Sequence, residues 1–134
     1  MLASGLPEQV GDDEDLARFL TSSRQFNAQM VMPSAFLPSP RDHETSVFRH
    51  GSEPRDTLWA LGDEYVAGSR TIHGAAIVKV SDVRETLLEV VAHEPPPRHA
   101  AIRGWPRNDD PDLQKARQKE RAVQVASKAM LLRR

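Results

Sequence analysis

Apolar residues fall along this chain in short runs with two different periods. Between Thr45 and Gly68 the period changes within one unit. Ser46-Val47-Phe48 has the β-branched and aromatic character of a strand, and Leu58, Leu61 and Tyr65 then recur at helical spacing, with Trp59 and Val66 widening the stripe. Gly51 after His50 suits a turn at positive φ, and Ser52 stands where a helix cap belongs. Pro54 falls in the first turn, where a missing N–H costs little. Glu53 and Asp56 lie at the positive end of the helix dipole, and Gly68 closes the segment. The pattern predicts a strand over 45–50 and a helix over 53–67, with Trp59 and Leu61 as core anchors of the helix.

Downstream, 75–80 is almost continuously apolar, as an interior strand is. Ser81 caps a single predicted turn over 82–86, and 88–92 reads as another strand. Pro95-Pro96-Pro97 predicts an extended, polyproline-like connector. A last short strand over 99–103 is stopped by Gly104 and Pro106. Asp110 before Pro111 is a helix-start signature, and the terminal helix is predicted to run towards Leu132 on a stripe of Ala122, Val123, Ala126, Ala129 and Met130.

Upstream the pattern is weaker. Residues 1–12 have no periodicity and read as disordered or as an arm. Asp13 or Asp15 caps a predicted short helix through Leu16, Phe19 and Leu20, whose spacing is helical. Residues 28–32 read as a strand and 34–37 as an extended segment that packs Phe36 inward, with Pro33, Pro38 and Pro40 excluding a long helix. The expected architecture is one α+β domain over 13–134. It has a small, mostly antiparallel sheet from 45–50, 75–80, 88–92 and 99–103, covered by the central and C-terminal helices, with an irregular N-terminal wrap.

Composition narrows the chemistry. The 134 residues include no cysteine, which excludes disulfides, thiolate catalysis and Cys-based zinc sites and fits a reducing cytoplasm. No run approaches the ~20 apolar residues of a membrane span, and the opening is polar and acidic rather than a basic-then-apolar signal. A net charge of −1 argues against a molecule held on nucleic acid by its overall field. The charge is uneven, however: Asp12-Asp13-Glu14-Asp15 is acidic, while the last twenty residues from Lys115 are rich in Lys and Arg.

No GxxxxGK[ST], GxGxxG or GxSxG pattern occurs, and no HxxxH, HxH or HExxH spacing, so neither a cofactor nor a metal is expected. His50, His73 and His99 each stand beside a turn at a predicted strand end, with Arg49 and Arg98 next to two of them. If strand ends converge, Arg49 is the candidate to fork a phosphate, and His50 or His99 to exchange protons. That would make an Arg/His enzyme acting on a phosphate-bearing substrate, RNA or a nucleotide. Trp105 between Arg103 and Arg107, with Lys115 and Lys119 beyond, is the candidate binding surface, for a protein or, through stacking and the basic terminal helix, for nucleic acid. Because no catalytic constellation is complete, the leading expectation is a non-enzymatic accessory or protein-interaction module of a cytoplasmic assembly. The enzyme and the nucleic-acid-binding subunit are its alternatives.

Overall fold

A computed structural model of the chain describes residues 1–50 and 53–134, so the predicted turn at Gly51 and cap at Ser52 lie outside the described residues. Among the described residues six strands form one sheet: β1 (Asp15–Leu20), β2 (Thr45–Arg49), β3 (Gly74–Lys79), β4 (Glu89–Ala92), β5 (His99–Arg103) and β6 (Met130–Arg133). Their spatial order is β4-β5-β2-β1-β3-β6, and every pairing among the described residues is antiparallel. Three α-helices accompany it among the described residues: α1 (Arg55–Gly62), prolonged by a π turn over Asp63–Ala67, α2 (Val80–Glu85) and α3 (Pro111–Lys128). The class is α+β.

Side-chain alternation divides the interior into two cores. On one face Leu16, Val47, Val78 and Ile102 pack beneath Val83 of α2 and Ala122 and Val125 of α3, with Phe36 and Trp105 closing the gaps. On the other, Ala17, Phe19, Phe48 and Ile77 meet Leu58, Ala67 and Ile72 from α1 and the turns after it. This second core has no member from β4 or β5. That end of the second face is left for polar side chains.

The segment 15–20 is a strand, not the helix its Leu16, Phe19 and Leu20 suggested. β1 is the long-paired centre of the sheet, and both faces are buried, so it shows no polar alternation. The predicted terminal helix stops early: Ala129 takes an extended conformation (φ −82°, ψ 144°), and the last apolar residues become β6. The Asp110 cap is present, accepting from the N–H groups of Asp112 and Leu113. Residues 28–32 do not make a strand; a single bridge joins Phe26 and Val31, followed by one 3₁₀ turn over Pro33–Ala35. The three prolines form no extended connector but the bend of a β4–β5 hairpin, with cis bonds at Glu94–Pro95 and Pro95–Pro96.

α1 turns its seam one step away from the predicted anchors. Leu58 is buried, whereas Trp59 and Leu61 are only partly covered, and Arg134 stacks over the Trp59 ring at 5.7 Å. Gly62 completes the seam because α1 rides directly on Phe19: a Cβ there would lie 2.7 Å from the ring. The first residues run back along the sheet, where Ser4 Oγ donates to Glu94 (2.5 Å), Pro7 O accepts from Arg49 and Val10 is buried.

Candidate active site

The open end of the second face is built by register. β5 pairs with β2 so that His99 stands opposite Phe48 and Ala101 opposite Ser46. The hairpin then brings His93 alongside His99, its N–H donating to the His99 carbonyl at 2.9 Å. Because Ser46 and Phe48 are two positions apart on β2, their side chains share a face. Ser46, His99 and His93 therefore line up beyond the rim of α1. The loop between Phe36 and Thr45 makes the far wall, pinned by Thr45 Oγ1 on Phe36 O (2.6 Å) and Ser39 N on Glu44 O (2.9 Å). The result is a cavity of about 160 Å³, with Leu37, Asp42, Glu44 and Arg18 completing its lining.

Within it His99 is fixed at both nitrogens. Nδ1 lies 2.7 Å from His93 O, a carbonyl that can only accept, so Nδ1 carries the proton. Nε2 is then the acceptor and receives the Ser46 hydroxyl. The His93 ring lies 5.1 Å away centroid to centroid, and the Phe48 ring meets His99 edge-on at 5.3 Å. Burial lowers the His99 pKa from its ordinary value, and the neighbouring His93 adds to this. The bond to the His93 carbonyl and the fields of Glu44 and Asp42 oppose it without reversing it. His99 is thus a neutral base at neutral pH.

Arg18 stands on the Leu16 face of β1, opposite to Ser46 by alternation, and reaches the lining of the cavity where the β1–β2 ladder ends. The β1–β2 ladder holds Leu16 to Arg49 and Ala17 to Phe48, and beyond these pairs the Ser46 carbonyl is taken by the guanidinium instead. Nη1 donates to Ser46 O at 2.9 Å and Nε to Ala35 O at 2.8 Å. Nη2 has no protein acceptor among the described residues and is open to solvent. No carboxylate pairs with Arg18 among the described residues, and burial together with the Arg70 charge lowers its pKa. Of the two acids in the lining, Glu44 is paired with Arg103, and Asp42 Oδ1 accepts from Glu44 N at 3.1 Å.

Only one member of the sequence-derived catalytic set is in this cavity. Arg49 points to the opposite face, 1% exposed, with Nε and Nη2 forked onto Glu14 at 2.8 Å each and Nη1 on Pro7 O at 2.7 Å. His50 and His73 stand at opposite ends of β1, bonded to Asp15 O and Leu20 O, about 17 Å apart at ~3.3 Å per residue. His50 Nδ1 is buried without a partner among the described residues, beside a void of about 30 Å³, and burial lowers its pKa. His73 packs on the Phe26 ring at 5.8 Å. The predicted convergence of His50, His73 and His99 around Arg49 does not occur.

The predicted binding surface is also dispersed. Trp105 is 4% exposed, its indole N–H on Ile102 O, and it offers no face for stacking. Arg103 is engaged with Glu44, while Arg107, Lys115 and Lys119 are exposed on the loop and on α3. A larger groove of about 550 Å³ runs between β6, α3 and the loop at 28–33, with Met30, Val123 and Met130 exposed. Among the described residues its only ionisable lining residue is Arg133, so they bring no reactive pair together there. Among the described residues no three His, Asp or Glu side chains gather in metal-binding fashion, and no helix is long and apolar enough to cross a membrane.

Ser46, Arg18 and His93 carried no sequence signal as a set, because only strand register joins them. Arg18, a charge in the middle of an apolar run, was the one visible anomaly. No protein-family model, curated protein or solved structure matches the chain.

Proposed function

We propose that the protein is a serine-dependent hydrolase, with Ser46 Oγ as nucleophile and His99 Nε2 as its general base. The observation that supports this is the Ser46 hydroxyl on a neutral His99 whose other nitrogen is committed to the His93 carbonyl, inside a lined cavity. Nucleophile, base and orienting group stand in the sequence that an activated hydroxyl requires. In the reaction, Oγ forms a bond to the electrophilic centre of an ester as its proton passes to Nε2. The imidazolium returns that proton to the leaving oxygen as the old bond breaks. Water, deprotonated by the same nitrogen, then releases the group from Ser46, and that proton passes from Nε2 to Oγ as the bond breaks. A neutral carbonyl supports the imidazolium less than a carboxylate does, so a modest rate is expected. The cysteine-free composition suits a cytoplasmic setting.

A fluorophosphonate probe tests this directly. Wild-type protein is expected to gain one adduct, located at Ser46 by mass spectrometry, and Ser46→Ala none. His99→Gln should slow labelling by roughly 10²–10⁴-fold, the range of general-base assistance. A wild-type protein that stays unlabelled overturns the proposal. The alternative of an interaction module without chemistry has the α3–β6 groove in its favour, with its exposed Met30 and Met130. The two readings part at Ser46, since a protein that only binds needs no activated hydroxyl.

A further inference from the structure

Resting on the serine-hydrolase reading, we infer that the ester is one of phosphate, its non-bridging oxygens seated on Arg18 beside Ser46. Arg18 is half-buried, and among the described residues no carboxylate pairs with it. Two protein carbonyls fix the plane of its guanidinium through Nε and Nη1. Nη2 is left with both N–H groups unused among the described residues and open to solvent, in a side chain that lines the cavity. A guanidinium held in this way presents a fixed, charged Nη2 donor to a phosphoryl oxygen, which a neutral carboxylic ester would use far less well.

The surrounding charges favour the same ligand. Arg70 lies close enough to act on Arg18 and adds positive field. Glu44 is neutralised by Arg103, which leaves Asp42, among the described residues, as the one unpaired acid of the lining, its Oδ1 already accepting from Glu44 N. The volume limits what is enclosed. About 160 Å³ is well under the ~300–1,000 Å³ of sites that bury a whole small molecule. The site therefore holds a terminal phosphoryl group and leaves most of the alcohol outside, as for a phosphate monoester.

The chemistry balances on the residues present plus water. Ser46 Oγ bonds to phosphorus while its proton goes to His99 Nε2, and on the far side of phosphorus the P–O bond to the alcohol breaks, the leaving oxygen taking a proton from a water at the open mouth of the cavity. The hydroxide so formed attacks the phosphoserine from that side, and inorganic phosphate departs as the imidazolium returns its proton to Ser46 Oγ.

The test uses inorganic phosphate as probe on the full chain. At constant ionic strength, phosphate is expected to slow fluorophosphonate labelling of Ser46 at least about tenfold at saturation, with chloride having no such effect. In Arg18→Lys, with folding checked by circular dichroism, the phosphate concentration giving half-protection should rise about 10–100-fold, the weight of one hydrogen bond to a charged group. 4-Nitrophenyl phosphate should be turned over in preference to 4-nitrophenyl acetate. If Ser46 labels normally but phosphate protects no better than chloride, or the acetate ester is preferred, the phosphate inference is overturned and the serine hydrolase stands. If wild-type Ser46 does not label, both fall. Should Arg18→Lys fail to fold, the wild-type comparison of phosphate with chloride still decides.

Discussion

Arg18 and Arg49 both stand on the central strands of the sheet, and what separates them is whether their donors are used up. Arg49 spends its fork on Glu14 and its remaining arm on Pro7, and its side chain is sealed from water. It ties the N-terminal segment to β2 and has nothing left for a ligand. The sequence made it the more attractive phosphate holder because it adjoins His50. Yet neighbours on a strand point to opposite faces, and only the β2–β5 register shows that His99 is on the other side from Arg49. Arg49→Lys is therefore expected to act on stability: it keeps the charge but loses the two-pronged bond, at a cost of ~1–3 kcal/mol. Urea unfolding should show a lower midpoint at unchanged slope, with the Ser46 labelling rate retained under native conditions. A variant as stable as wild type but slow to label would put Arg49 back in the site.

Elements were legible where one signal dominated and were misread where two cores met. β2, α1, β3, β4 and β5 follow from local pattern, and the start of α3 from the Asp110 cap. β1 does not, because a strand buried on both faces has no alternation, and Leu16, Phe19 and Leu20 fall by accident at helical intervals. β6 was absorbed into α3 because its apolar residues continue the helix stripe, and only the extended Ala129 separates them. In α1 the spacing gave the right helix but placed its anchor at Leu61, whereas Leu58 is the buried one, since close approach at Gly62 sets the roll of the helix. Gly62→Ala tests this. Alanine in a helix normally improves on glycine by up to ~1 kcal/mol. Here the added Cβ would stand 2.7 Å from the Phe19 ring, so overpacking should reverse the sign and destabilise by ~1–3 kcal/mol. A rise in melting temperature would show that α1 does not rest on Phe19.

At the scale of the whole molecule, the open site and the proton equilibria are linked, because leaving β4 and β5 uncovered sets an imidazole at the edge of the interior. The site's components come from β1, β2, the β4–β5 hairpin and the loop before β2, and no local sequence pattern specifies how those pieces register. Titration reads the assembled result. Burial lowers the pKa of both His99 and His50, so below about 6.5, the ordinary value for histidine, the unfolded chain takes up protons that the folded one resists. Stability should fall as pH is lowered through this window, each group contributing a slope of at most ~1.4 kcal/mol per pH unit between its unfolded and folded values. Glu14 adds a second loss at lower pH. Burial raises its pKa, but the Arg49 fork, the Gly11 N–H and the fields of Arg49 and Arg98 outweigh that and leave it lowered. Its contribution is complete above the ordinary carboxylate range and disappears as pH falls through the folded value. Urea midpoints measured from pH 7.5 to 3.5 should therefore decline in two stages. His50→Gln with His99→Gln should flatten the first stage and leave the second. Over the first stage Ser46 labelling should also fall, reaching half its plateau below about pH 6.5, because a protonated Nε2 no longer accepts the hydroxyl. Stability and labelling that both stay level from pH 7.5 to 5 would mean that His99 is neither buried nor bonded as described, and the catalytic reading would lose its base.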